Sequence, residues 1–388
     1  MNLQSLTPFL LAFAGIPFIY YGLVLFSSYR FFNRKKAAVP KSFTPPISNL
    51  KPVRGLDPDA YENFASFCKQ DYPEYEVIFC VGDNGDPSLP IIEQIKKDFP
   101  KTKIRVLFGS GRVAANDKVA KLARMSSEAA YEHLVISDSD VRVRPDYLRQ
   151  VIAPMADPKI GAVTCLYVSL GDKAFIENLQ TVGMISDFYA GLMVARELDG
   201  VKFALGPTIA TTRTQLAGFG GYAAIENRPG DDLLVGRLIA EQGYTIELSS
   251  YVVETVSDYA SIHDLLQKRM RWLVVMRHMR PAGHLGLIFT QGLAWVLVAM
   301  ALHPTWGTVA TFGGLYLFFR FAMLWKIGIS GLKQKQLWRQ FPMVVAWDAF
   351  AFGLWAASFL RNTIRWRGGS YYIRNGELVP AVQPSANA

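Results

Sequence analysis

Residues 133–140, HLVISDSD, place two carboxylates, Asp138 and Asp140, one residue apart at the end of an apolar run. Two anions that close repel each other unless solvent or a cation intervenes. A hard divalent cation takes oxygen ligands and bridges one or two carboxylates to a diphosphate, and the spacing suits such an ion. A turn with solvated carboxylates has the same sequence, and position decides between the two. Three further clusters have chemical potential. Asp83 and Asp86 follow a second apolar run, EVIFCVG; Asp231 and Asp232 follow Pro229 and Gly230; QKRMRW at 267–272 is basic and aromatic. A carboxylate beside a hydroxyl acceptor serves as general base, and cationic side chains offset the charge of a departing diphosphate.

The elements that must hold these residues alternate. ISNLKPV (47–53), EVIFCVG (76–82), KIRVLF (103–108) and HLVIS (133–137) read as strands, separated by the helical patterns DAYENFASFCKQ, SLPIIEQIKKDF and DKVAKLARMSSEAA. Such alternation makes parallel βαβ units, hence a doubly wound α/β sheet. Ligands bind these sheets beyond the carboxyl ends of the strands, where Asp83, Asp86, Asp138 and Asp140 all fall. Neither a GxGxxG nor a P-loop pattern opens a helix, so the two common phosphate-cradling loops are absent from the sequence. Asp231 and Asp232 precede a helical pattern of Leu233, Leu234, Leu238 and Ile239. Asp231 is expected to cap that helix while Asp232 points into the cleft. Gly206-Pro207-Thr208 and the glycine-rich 218–221 read as turns, packed or brought against a ligand.

Composition places this domain at a membrane. At 388 residues, 51% hydrophobic and 19% charged, the chain is too apolar for an ordinary soluble protein and too charged for a pure membrane bundle. The apolar residues are segregated: residues 8–26 carry no charge and are long enough to cross a bilayer, and most of 285–360 is similarly apolar. The first stretch lacks a basic leader and a small-residue cleavage site, and Arg30, Arg34, Lys35 and Lys36 follow it. It reads as an uncleaved anchor with the central domain in the cytoplasm. The expected organisation is an anchor with its basic flank over 1–40, a cytoplasmic domain over 41–284, and a membrane region with a basic tail over 285–388. Cys68, Cys80 and Cys165 show no paired spacing, which speaks against a disulfide framework or a cysteine zinc site. The five histidines have no metal spacing, and His263, His278 and His284 read as surface or interfacial residues. A net charge of +9 suits anionic lipid and also a polyanionic substrate, and no nucleic-acid-binding motif is present.

Two charges sit inside the C-terminal apolar runs, Arg320 and Asp348. Ionisable groups at membrane depth face a partner or a polar cavity. With a basic connector expected from Lys326 to Arg339, side-chain reach can bring the two together, and they are predicted to approach; the alternative is that Arg320 snorkels to the interface. Residues 341–360 are expected to form either a crossing or a re-entrant element, since Arg361, Arg365 and Arg367 also favour the cytoplasm.

In chain order the motifs resemble a family. LKPVRGLDP (50–58), QDYPEYEVIFCVGDNGDP (70–87), NDK (116–118), ISDSDVRVRPDYL, GDD (230–232) and QKRMRW (267–272) are similar to those of the ceramide glucosyltransferases, the glycolipid branch of inverting GT-A glycosyltransferases. Bacterial hopanoid-biosynthesis glycosyltransferases share them. The resemblance implies a GT-A-type nucleotide-sugar-binding domain and an inner-membrane enzyme that moves a hexose from a UDP-sugar to a lipid hydroxyl. It implies that Asp83 contacts uridine, that Lys118 supports the nucleotide, and that Asp138 and Asp140 hold Mg2+ or Mn2+ on the diphosphate. Asp232 matches the catalytic base. Arg271 and Trp272 match the end of the signature Gln or Arg, two variable residues, Arg-Trp, whose first position here is Lys268, flanked by Gln267 and Arg269. Arg269 is carried over as a further contact to the donor.

Two other readings compete with this one. A processive polysaccharide synthase shares the Arg-Trp signature but needs more transmembrane segments to form a polymer channel. A membrane scaffold with a degenerate nucleotide fold would be expected to lose an acidic motif, and none is lost.

Overall fold

The computed structural model describes residues 3–34, 43–112, 114–170, 175–256, 261–366 and 369–381; Lys35, Lys36 and Arg367 lie outside them. The chain divides into two compact units. One is Lys35–Asp172 with Val201–Asp258, and the other is Met1–Arg34 with Lys173–Gly200 and Tyr259–Ala388.

The first unit is built on an eight-stranded sheet. Its strands are β1 (Ile47–Pro52), β2 (Tyr75–Val81), β3 (Lys103–Phe108), β4 (His133–Ile136), β5 (Val141–Arg142), β6 (Ile160–Leu170), β7 (Ile209–Thr212) and β8 (Thr245–Val256). They lie in the order β3-β2-β1-β4-β7-β6-β8-β5. The first four are parallel, as the alternation predicts. Helices α2 (Ala60–Cys68), α3 (Leu89–Asp98) and α4 (Asp117–Glu128) fall between them in sequence, α1 being the N-terminal Leu3–Phe32. Every residue of β1 and residues 76–81 of β2 are buried; β2 accordingly reads as a near-continuous apolar run, whereas β1 also buries polar side chains, with Ser48 bonded to Glu76 and Lys51 to the Asp138 carbonyl. Phe64 and Phe67 of α2 and Ile92 and Ile95 of α3 join Phe79, Val135 and Tyr147 in one core.

Beyond the four strands read from the sequence, the sheet is mixed. β7 runs antiparallel to both β4 and β6, pairing Ile209 with Ile136 and Thr211 with Ala162. Because β7 reverses, the turn entering it stands at the same end of the sheet as the loop leaving β4. That places Gly206 beside the acidic loop. β6 and β8 are parallel, and the two-residue β5 closes the edge antiparallel to β8.

The second unit is mainly helical. Thr7–Phe32 and Trp306–Gly331 are long and apolar enough to cross a membrane, Pro281–Thr290 and Gly292–Leu302 form a pair bent by 54°, and Met343–Ser358 is a shorter apolar helix. The Trp306–Gly331 helix continues through Lys326, so the connector begins later than its first basic residue suggests. Residues 173–200, ordinary in composition and expected within the central domain, cluster with this unit. Asp187 of that segment shows why: its carboxylate accepts hydrogen bonds from Arg320 Nη2 at 3.1 Å and from Trp347 Nε1. Arg320 also donates to the Ser186 carbonyl at 2.8 Å and pairs with Asp348, as predicted. Tyr316 completes the cluster by donating to Asp348 Oδ2 at 2.7 Å. His284, expected at the surface or the interface, is instead buried, bonded through Nε2 to Ser358 Oγ at 2.9 Å. The tail carries a three-stranded antiparallel sheet, Thr363–Trp366, Gly369–Arg374 and Glu377–Pro380.

Candidate active site

The acidic loop leaving β4 is tied down on both sides. Ser137 N donates to the Leu50 carbonyl at 3.1 Å, Lys51 Nζ donates to the Asp138 carbonyl at 2.8 Å, and Ser139 Oγ bonds Asp57 Oδ2. Val256 N holds the Asp140 carbonyl at 2.9 Å. These bonds fix the backbone and leave the Asp138 and Asp140 carboxylates to side-chain partners. Lys51 is fully buried, its ammonium 3.5 Å from the centre of the Phe67 ring. Burial pulls its pKa down to about 7, against the pull of Asp140, Asp138 and Asp57 toward the charged form. Asp140 moves the other way: burial, then repulsion from Asp138 and Asp57, pushes it up to about 7.

Lys118 and Asp232 meet this loop from two helices. Asn116 caps α4, accepting from Val119 N at 3.3 Å, which sets Lys118 in the first turn. Its ammonium lies 2.6 Å from Asp138 Oδ1 and 3.4 Å from Asp231 Oδ2. Burial alone lowers the lysine's pKa, but Asp138 and Asp231 more than reverse this and hold it well above the ordinary value. The Asp231–Glu241 helix starts after Gly230, which has φ 69°. Gly236 lets that helix lie on the backbone before β7, where a Cβ would stand 2.2 Å from the Phe203 carbonyl carbon. Asp232 therefore reaches Gly206: Oδ2 accepts from Gly206 N at 3.0 Å, and Oδ1 accepts from Leu233 N at 2.8 Å. A Cβ at Gly206 would sit 2.9 Å from Asp138 Oδ2, 3.5 Å from Asp232 Oδ2 and 3.7 Å from Lys118 Nζ, so glycine keeps three motifs in contact. Burial, then Asp231, pushes Asp232 up to about 6.

Asp83 and Asp86 separate into two roles. Asp86 is buried and organises its loop, accepting from Ser88 N at 3.0 Å, Ser88 Oγ at 2.7 Å, Gly55 N at 3.3 Å and Gly82 N at 3.4 Å. Burial raises its pKa, but the Ser88, Gly55 and Gly82 hydrogen bonds outweigh that and hold it below the usual carboxylate value. Asp83 is exposed and lines a cleft of about 600 Å3 with Arg54, Gly55, Asp86, Asp117 and Lys121. Lys121 is fixed by the Val53 carbonyl at 2.9 Å and by Asp117 at 3.1 Å.

Arg269, Arg271 and Trp272 belong to the other unit, on the helix Ile262–Met279 that Ser261 caps by accepting from Asp264 N at 3.2 Å. Arg269 Nε donates to Gln180 Oε1 at 2.9 Å, and its guanidinium stacks between the Trp347 ring at 4.7 Å and the Trp272 ring at 5.2 Å. Trp272 also packs on Phe188. Arg271 is half-buried.

The structure thus brings Lys118, Asp138, Asp140 and Asp232 to one place and puts Asp83 in the cleft of the same unit. Asp231 is a correction, since its carboxylate meets Lys118 rather than capping the helix. Lys51, Asp57 and Gly206 are additional: the first two stand in the LKPVRGLDP motif, and the third, in a turn expected to pack or to face a ligand, instead meets the side chains of Asp138, Asp232 and Lys118. Among the described residues no three side chains of His, Cys, Asp or Glu form a metal cluster. Two carboxylates suit a Mg2+ or Mn2+ ion whose other positions belong to phosphate oxygens and water.

The family model of glycosyl transferase family 21 matches residues 9–379. The chain belongs to this family. It is therefore a glycosyltransferase similar to ceramide glucosyltransferases. It is 24% identical to ceramide glucosyltransferase 3 of Caenorhabditis elegans, over 92% of this chain and 78% of that protein. To ceramide glucosyltransferase 1 of the same organism it is 23% identical, over 95% of this chain and 80% of that protein. Among solved structures, the mannosyltransferase PcManGT from Pyrobaculum calidifontis, in complex with GDP-Man and Mn2+, superposes with a TM-score of 0.60. It covers 92% of this family 21 chain and 99% of its own at 18% identity, a likeness of fold. The mixed α/β architecture is accordingly GT-A-like.

Proposed function

We propose that this family 21 enzyme moves a hexose, glucose in the first instance, from a UDP-sugar to a hydroxyl of a ceramide-like membrane lipid, with inversion at the anomeric carbon. The observation that carries the reading is the Gly206 contact, which sets the Asp232 carboxylate next to Asp138. Inverting transfer needs a base and a diphosphate-binding acid facing one reacting centre. Asp232 has the environment of a general base: it is fixed by two backbone N–H groups, and its pKa of about 6 lets it take a proton near neutral pH. Asp138 and Asp140 are the residues that would hold Mg2+ or Mn2+, whose charge makes the nucleoside diphosphate a better leaving group. Asp83, exposed in its cleft, is assigned to uridine, and Lys118 to the nucleotide phosphates. Arg271 and Trp272, with Arg269, are assigned to the diphosphate and acceptor from their motif.

The lipid acceptor is supported by the two helices able to cross a membrane and by the matches to ceramide glucosyltransferases over nearly the whole chain. Arg30 and Arg34 at the end of the first of these helices support a cytoplasmic catalytic unit. The test is to incubate membranes holding the enzyme with labelled UDP-glucose or UDP-N-acetylglucosamine and with ceramide, a hopanoid or diacylglycerol, then identify the labelled lipid and its anomer. A β-linked glucosylceramide is expected. A labelled polymer, a labelled hopanoid or a retained α anomer overturns the corresponding part.

A further inference from the structure

Lys118 pairs with acids from two other motifs, and that pairing reaches beyond a contact to nucleotide. Its ammonium is 2.6 Å from Asp138 Oδ1 and 3.4 Å from Asp231 Oδ2, with a side chain only 13% exposed. Asp138 is also the first carboxylate assigned to the divalent ion. A second cation on that carboxylate meets the repulsion of the ammonium, which at such range in a partly buried site is large compared with thermal energy. Lys51, a buried lysine at the same loop, donates to the Asp138 carbonyl and is attracted by the Asp140, Asp138 and Asp57 carboxylates. Asp231 offers the lysine a second anion at 3.4 Å, so a small movement of Nζ from Asp138 toward Asp231 keeps it partnered.

We propose that Lys118 is a built-in counter-ion of Asp138 that competes with the divalent cation, and that nucleotide diphosphate draws it off, so that metal and nucleotide bind cooperatively. This rests on the donor-site reading above. The competition keeps a cluster of carboxylates neutralised while no donor is bound, and it selects against metal that arrives without nucleotide. By linkage, whatever factor UDP contributes to metal affinity, the metal contributes to UDP affinity.

The test is titration of Mn2+ into the full-length protein in detergent, following free Mn2+ by electron paramagnetic resonance, with and without saturating UDP. Lys118→Met without UDP is expected to bind Mn2+ about tenfold more tightly than the unmodified protein, a modest share of the repulsion removed. The enhancement of Mn2+ affinity by UDP should shrink by at least the same factor. Lys118→Gln, which keeps a polar side chain, should behave alike and guards against a folding defect in the first variant. If both variants bind Mn2+ no more tightly than the unmodified protein while Asp138→Asn abolishes binding, the counter-ion proposal is overturned and the donor site stands. If the unmodified protein binds UDP but no Mn2+ in either condition, the metal assignment falls and the proposal with it.

Discussion

Replacing Asp232 by Asn separates its chemistry from its place in the fold. The amide oxygen can still accept the Gly206 N–H, so the turn before β7 should survive, whereas no base remains for the acceptor proton. Loss of a general base typically costs about 10²- to 10⁴-fold in rate. The pH profile gives a second magnitude. With a pKa of about 6, the ionised fraction falls from about nine tenths at pH 7 to about one tenth at pH 5, so kcat/KM of the unmodified enzyme should fall about tenfold over that interval. The variant should lack that limb. Stability should change in the opposite direction. The folded-state pKa is raised above 3.8, so the unfolded chain ionises first as pH rises. The resulting destabilisation grows between about pH 4 and pH 6 and is fully present above that. Two pH units at about 1.4 kcal/mol each put it at no more than about 3 kcal/mol, which Asn relieves at pH 7. Steady-state transfer assays from pH 5 to 8, with thermal melting of the detergent-solubilised protein at pH 5 and pH 7, measure both. A variant that keeps more than a tenth of normal turnover, or the acid limb, would refute the assignment of the base.

Other outcomes follow from the same geometry. Asp140→Ala, or excess chelator on the unmodified enzyme, should abolish transfer, and Mn2+ should restore only the chelated sample; undiminished activity in either case removes the metal from the reaction. Gly206→Ala should reduce kcat/KM by more than about tenfold while the protein stays folded, because the new Cβ would press on Asp138 Oδ2 at 2.9 Å. Wild-type kinetics in that variant contradict the close approach of the two acids. Arg320→Met should destabilise by about 3–5 kcal/mol, since it strands Asp348 and Asp187, and adding Asp348→Asn should recover part of the loss. Melting temperatures that fall equally and additively for the two single variants argue against the pair.

The sequence showed the half of the sheet that carries Asp83 and Asp138 because its logic is local. β2 and β4 there are buried apolar runs, and the helices between the strands carry their own patterns of buried residues. β7 was not legible, since the direction of a four-residue strand depends on which neighbours it joins. Gly206 consequently read as a turn and not as the meeting point of three motifs. Asp83 and Asp86 look alike in sequence, and only the loop's backbone, with Gly55, Gly82 and Ser88 all aimed at one carboxylate, separates the exposed acid from the buried one. Segment 173–200 was hidden because its partners, Arg320 and Trp347, lie more than a hundred residues away. The tail hairpin did have a local signal. Asn375 and Gly376, both at positive φ, form the two-residue turn between Arg374 and Glu377 that an Asn-Gly pair favours.

The interruption of the sheet unit by residues 173–200 has a consequence for biosynthesis. A ribosome releases β1 to β6 first, then the segment that belongs with the membrane helices, and only afterwards β7, which must enter between β4 and β6. Until it does, both of those strands present open edges to any neighbouring chain, a known route to misassembly. The nascent chain is also without Gly206 and Asp232 during that interval, so the acidic loop exists before two of its neighbours do. Slowing translation after residue 200 should therefore prolong an aggregation-prone intermediate, whereas a delay once β8 has also left the ribosome should be harmless to the sheet.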